Sequence, residues 1–159
     1  MIAIRRAGQS DSETLAEQAH ALNRHFGVEE PAFSGSAIAP LMAGDDPFMF
    51  GYLAESERTA VGYALCQKFF DTDTGTMATW LLDLYIDPAH RGGGLGRRML
   101  ARVAADAKAK GQRCVGLAVY RDNPARNLYD RIGAALSPEA LVYELRDGNL
   151  DSLAREAQL

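Results

Sequence analysis

Cysteine, excess positive charge and long apolar runs are all scarce in this chain. Cys66 and Cys114 are the two cysteines in 159 residues, and they stand far apart in strand-like apolar stretches. That spacing excludes a disulfide framework and offers no metal-ligand pattern, so both are expected as reduced core residues. His20 and His25 read as helix-surface positions and His90 as solvent-facing, which leaves no second ligand cluster and no expected metal site. The opening stretch MIAIRRAGQSDSE turns polar after four residues, unlike a secretory signal, and no run approaches the length of a membrane span. A cytoplasmic location, away from membranes, is therefore expected. A formal net charge of −4 argues against a broad nucleic-acid footprint. With 47% apolar and 24% charged residues, no repeat and no linker-like segment, the chain is expected to form one domain over residues 1–159.

What is present alternates between strand and helix periods. Residues 2–6 read as a short strand. Ser10, Asp11, Ser12 and Glu13 then supply capping side chains before a helical pattern at Leu15, Ala19, Leu22 and Phe26. Residues 27–47 are rich in Gly, Pro, Ser and acids, with one short helix expected near 36–42. Residues 48–55 and 59–70 read as an antiparallel hairpin joined by the polar turn Ser56-Glu57-Arg58. The apolar run 79–86 suits a central strand, ended by Asp87-Pro88. Leu95, Met99, Val103 and Ala107 predict a helix over 94–110 that lies on the sheet. Residues 114–120 predict another strand, and Asn123-Pro124 opens a helix carrying Ala125, Leu128, Tyr129 and Ile132 on one face, stopped by Gly133. A last strand is expected at 141–145 and an amphipathic tail at 149–158, docking on the body or on a second subunit. The order predicts an α+β fold, a mixed and mostly antiparallel sheet with a parallel βαβ unit in its second half.

Chemistry concentrates after Asp87-Pro88. Arg91, Gly92, Gly93, Gly94, Leu95, Gly96 and Arg97 follow a strand and open a helix. Glycines let a backbone approach a ligand closely, and the first-turn N–H groups of a helix are unpaired donors, a geometry that suits a diphosphate. Arg91, Arg97 and Arg98 add local positive charge in an acidic chain. A nucleoside triphosphate loop would end in Gly-Lys-Ser/Thr, whereas Gly96 is followed by Arg97 and Arg98. A dinucleotide fingerprint belongs near the start of a doubly wound sheet, and this loop comes late, after consecutive strands.

The run Leu84-Tyr85-Ile86-Asp87-Pro88-Ala89-His90-Arg91-Gly92-Gly93-Gly94-Leu95-Gly96 resembles the acetyl-CoA signature of the GCN5-related N-acetyltransferases (GNAT family). Arg91, Gly94 and Gly96 match its Q/R-x-x-G-x-G/A motif, and residues 123–133 resemble the family's Asn…Tyr helix. Gly44-Asp45-Asp46-Pro47-Phe48, Phe69-Phe70 and residues 81–86 resemble the polyamine and diamine branch. The resemblance implies the GNAT acyl-CoA N-acyltransferase fold, splayed between the strands at 79–86 and 114–120, with acetyl-CoA in the opening. It implies that the loop amides hold the pyrophosphate and that Leu84, Tyr85 and Ile86 meet pantetheine and polarise the acetyl carbonyl. It also implies a direct transfer to a small primary amine, diamine-like or amino-acid-like, with no metal and no covalent intermediate. Homodimers are implied by the same branch.

Tyr129 is implied as the acid that protonates the CoA sulfur; from spacing alone it would read as a core residue. Asp83 shares a strand face with Tyr85, opposite Leu82 and Leu84, and either binds or deprotonates the acceptor ammonium or pairs with an arginine. Glu29, Glu30 and Asp73 are further acidic candidates for acceptor binding, against the plainer reading of solvated turns. Some positions depart from the branch. Leu82 stands where a Glu is usual, and Asn123 lies one residue nearer Tyr129 than the family pattern, with Asp122 at the expected place; either could meet pantetheine. Two alternatives stay open: an acyl-CoA sensor without catalysis, and an acetyltransferase acting on protein N-termini or lysines.

Overall fold

A computed structural model describes residues 1–157. Strands β1 (Ala3–Ala7), β2 (Met49–Ser56), β3 (Thr59–Asp71), β4 (Thr76–Ile86) and β5 (Val115–Leu117) form one sheet in chain order. The first four are antiparallel neighbours, and β4 and β5 run parallel. The parallel step is bridged by α3 (Leu95–Ala109), a βαβ unit of the kind that parallel pairing requires. Helix α1 (Ser12–His25) and the short α2 (Gly35–Ile38) cover the opposite face.

Helices on both faces explain why β2 and β3 read as near-continuous apolar runs. On one side Tyr52, Ala64, Cys66 and Leu81 meet Leu95, Met99 and Val103 of α3, the helical stripe expected from sequence. On the other, Leu53, Tyr63, Leu65 and Tyr85 meet Leu15 and Ala19 of α1 together with Ile38 and Met42. The turn between β2 and β3 puts Glu57 at φ 50° and Arg58 at φ 70°, the left-handed pair that matches the twist of a tight hairpin.

A bulge in β4 sets the chemistry. Leu65 opposes Asp83 while Cys66 opposes Leu81, so Leu82 is the extra residue. Asp83 and Tyr85 do share the α1 face. Leu82, however, does not continue the row of Leu84: the inserted residue breaks the alternation and leaves Leu82 38% exposed. Beyond Leu81 and Leu117 the β4–β5 ladder stops, and the two chains diverge.

Other expectations need correcting. The strand predicted over 114–120 pairs only through Val115–Leu117, because its C-terminal half leaves β4 at the splay. Cys114 is exposed, not core, whereas Cys66 is buried, and that burial pushes its thiol up to about 12. The helix expected near 36–42 breaks into α2 and a 3-10 turn, Ala39–Met42, at Pro40, which lacks the N–H needed to continue. Residues 141–145 form no strand, since no described strand pairs with them to complete a ladder, and Leu141, Val142 and Tyr143 are exposed. After α4 (Arg126–Arg131), α5 (Asp147–Glu156) carries the amphipathic tail and exposes Leu150 and Leu153; Gln158 lies outside the described residues. No described helix is long and apolar enough to cross a membrane.

Candidate functional site

The splay opens a cavity of about 630 Å³. Its walls are the end of β4, the glycine loop, the chain continuing from β5, the start of α4 and the C-terminal end of α1. On β4, residues 82–86 have lost β5 as a neighbour, so their backbone groups that point away from β3 face the opening. Leu84, Tyr85 and Ile86 all line it.

The loop is built by its own turns. The Asp87 carboxylate accepts the Ala89 N–H at 2.8 Å, capping a 3-10 turn at Pro88–His90. Gly92 at φ 83° and Gly94 at φ 77° then take left-handed backbone that other residues enter at a cost. A Cβ at either glycine would meet nothing within 4 Å, so conformation and open approach, not crowding, demand glycine there. Gly96 is different, because a Cβ would come 3.1 Å from Leu128 Cδ2 and would require that side chain on α4 to shift by a few tenths of an ångström. The first bond of α3 runs from the Arg98 N–H to the Gly94 carbonyl at 3.0 Å, which leaves the amides of Leu95, Gly96 and Arg97 pointing out of the helix end.

Of the predicted loop residues, Arg91, Gly92, Gly94, Leu95, Gly96 and Arg97 line the cavity and Gly93 does not. Arg91 is fixed through Nε to the Ile86 carbonyl at 2.8 Å, and its guanidinium stands 5.7 Å from the Tyr85 ring. Arg98 turns away and donates to the Ile2 carbonyl at 2.9 Å. Among the described lining residues Asp83 is the lone carboxylate, whereas Arg91, Arg97 and Arg131 all contribute cations. Free amides, a helix N-terminus and that imbalance of charge fit a diphosphate-bearing ligand at the loop.

Asp83 sits deeper, with Oδ2 accepting the O–H of the fully buried Tyr63 at 2.9 Å. Burial pushes its carboxyl above the ordinary carboxylate range, and the Tyr63 bond pulls the other way. Tyr129, on α4, lines the cavity half-buried beside the core; burial raises its phenol, which keeps it protonated. Its hydroxyl has no hydrogen-bond partner among the described residues. Asn123 lines the cavity and accepts the Ala125 N–H at 2.8 Å, while Asp122 is exposed and stands off it. The structure does not bring Glu29, Glu30 or Asp73 to the cavity: the acids following α1 and the β3–β4 turn are exposed and lie elsewhere.

Sequence reasoning missed Leu22, His25 and Phe26, which α1 delivers to the wall. His25 Nε2 lies 3.3 Å from an Arg91 nitrogen, and His90 also lines the cavity, half-buried rather than solvent-facing. No local signal marks these positions, since where a helix ends against a sheet is a tertiary outcome. Tyr63 was missed as well; the one cue is a tyrosine within the run 60–66, otherwise made of small and apolar residues. Among the described residues no His, Cys, Asp or Glu cluster is placed to hold a metal ion.

Residues 15–134 match the profile of the acetyltransferase (GNAT) family. The chain belongs to that family. Among curated GNAT relatives, a ribosomal protein bS18-alanine N-acetyltransferase from Haemophilus influenzae is 34% identical over 73 residues, 46% of each chain. A thialysine N-epsilon-acetyltransferase from Sus scrofa is 29% identical over 149 residues, 87% of each chain. The fold is shared with a predicted acetyltransferase from Clostridium acetobutylicum solved with acetyl-CoA, at TM-score 0.77, 19% identity, and coverage of 91% of this chain and 97% of that one.

Proposed function

We propose that this GNAT member is a single catalytic domain, residues 1–159, that transfers the acetyl group of acetyl-CoA to a primary amine of a small molecule in a ternary complex. One observation carries the reading: β4 and β5 part directly above an N-terminal helix turn whose free amides face a cavity also lined by Asp83 and Tyr129. Acetyl-CoA would supply a thioester carbonyl. The amides of Leu95, Gly96 and Arg97, with Arg91 and Arg97, would hold its pyrophosphate, and the open backbone of Leu84, Tyr85 and Ile86 with Asn123 would hold its pantetheine arm.

Asp83 receives the acceptor ammonium and takes one of its protons; a carboxyl already raised by burial is a better base than an ordinary one. Nitrogen then attacks the acetyl carbon, the C–N bond forms and the C–S bond breaks. Two protons leave the nitrogen in all: one reaches the departing sulfur by way of Tyr129, the other reaches solvent by way of Asp83. Incubation with acetyl-CoA and a panel of amines, following free thiol, tests the reading. Thiol release that requires an amine supports it, and acetyl-CoA binding without release from any amine, peptide N-termini included, would make the protein a sensor instead. A cytoplasmic setting belongs to this reading, since it would supply acetyl-CoA and keep the exposed, unbridged Cys114 reduced.

The chain is further proposed to act as a homodimer. Its accessible surface is 10655 Å² for a mass of 17.3 kDa. A compact monomer of that mass exposes about 7,800 Å². The excess is roughly 2,800 Å² on each chain, which over a pair reaches the upper end of obligate dimer interfaces. Much of it lies on the arm after α4, where Leu136, Leu141, Val142, Tyr143, Leu150 and Leu153 are all exposed. Strand β5 meanwhile keeps a free edge.

A further inference from the structure

Within the proposed acetyltransferase site, on which this inference rests, the wall on the α1 side of β4 has a chemistry of its own. Asp83 sits at its base, bonded to Tyr63. Leu22 and Phe26 from α1 and the bulged Leu82 line the same cavity. Phe26 is 56% and Leu82 38% exposed, which is apolar surface left bare inside a cleft, the usual mark of a ligand with an apolar body.

The charges nearby point the same way. Arg91 rests on the Tyr85 ring, which faces this side of the sheet, and His25 stands beside its guanidinium. A second ammonium on the acceptor would meet either hydrocarbon or a fixed positive charge. The carboxylates that could have received it are elsewhere: Glu29 and Glu30 stand off the cavity, and Asp87 is engaged with the Ala89 N–H.

We infer that the acceptor is a primary amine with one positive charge on an apolar body, an arylalkyl- or alkylamine, and that diamines and polyamines are poor acceptors. The ammonium pairs with Asp83, while the apolar part covers Leu22, Phe26 and Leu82. This departs from the diamine-like expectation, and the bulge explains it: the position where a second acid would be useful is the inserted residue itself, Leu82, which lines the cavity with an apolar side chain.

Initial rates at saturating acetyl-CoA with phenethylamine, cadaverine and spermidine test this. The kcat/KM for phenethylamine should exceed that of either polycation at least about tenfold, the scale of leaving one charge unpaired. Leu82→Glu should narrow that gap by about tenfold through better use of cadaverine. Because Leu82 is partly exposed at a bulge the variant should fold, which circular dichroism checks; Phe26→Glu makes the same test from the helix side. Cadaverine or spermidine matching phenethylamine in the parent protein, or a gap unmoved in both variants, would overturn the inference while leaving acetyl transfer intact. Absence of thiol release with every amine would overturn the underlying reading and this inference together.

Discussion

Asp83 is held by opposing influences, since burial drives its carboxyl upward and the Tyr63 hydroxyl steadies its charged form. Because its folded pKa lies above the unfolded value, the native state binds this proton more tightly; the stabilisation is full in acid and disappears as pH rises through the folded pKa. Asp83→Asn should therefore raise the melting temperature at neutral pH and leave it unchanged in acid, by differential scanning calorimetry. The same variant should lower kcat about 100-fold or more and remove the limb of kcat/KM that rises with pH above the ordinary carboxylate range. Tyr129 is also raised by burial, which keeps it a proton donor at working pH. Tyr129→Phe should reduce kcat by about 100-fold, while acetyl-CoA affinity measured by calorimetry stays at the parent value.

At the scale of elements, the turn from β4 into α3 combines two requirements in Gly94: left-handed backbone and open space above it. Gly94→Asp strains the backbone and sets a carboxylate at a helix N-terminus meant for an anionic ligand. It should abolish acetyl-CoA binding in a calorimetric titration with the fold retained; unchanged affinity would sink the assignment of this loop. A second element-level device is the clip at Arg5, whose guanidinium reaches Asp11 at 2.7 Å and Glu55 at 2.8 Å and so ties β1 to β2 and to the start of α1. Arg5 is 43% exposed, so solvent screening reduces what the clip contributes. Arg5→Ala should cost on the order of 1 kcal/mol in denaturant unfolding. Asp11 is held below the usual carboxylate range by Arg5, so this contribution is present above the unfolded pKa and disappears as pH falls through the folded one.

For the whole molecule, the arm after α4 is the feature a monomer does not explain. Its apolar residues Leu141, Tyr143 and Leu145 recur at the strand period, yet among the described residues no strand pairs with them, and a strand without a ladder leaves its backbone unsatisfied. Pairing with the corresponding region of a second copy would cover both the arm and the open β5 edge. Sedimentation velocity should then give twice the chain mass, and truncation after Ala134 should convert the protein to a monomer with exposed, aggregation-prone edges. A monomer formed by residues 1–159 would refute the dimer.

The periodicity of residues 95–107 fixed α3 and the face it buries, because helix–sheet packing repeats on a local period that side chains announce. The glycine loop was likewise legible, since left-handed backbone at Gly92 and Gly94 is a local demand met by residue type. The acceptor wall was not. Glu29 and Glu30 carried the right charge at the wrong place, while Leu22, His25 and Phe26 carried no signal at all. Sequence by itself determined the family, the order of elements and the loop that would hold an anion, all properties of short contiguous stretches. The tertiary structure alone decided that a bulge sets Leu82 out of register, that Tyr63 meets Asp83 across two strands, and that the end of α1 closes the cavity. Those contacts join residues distant in the chain, and no local period encodes them.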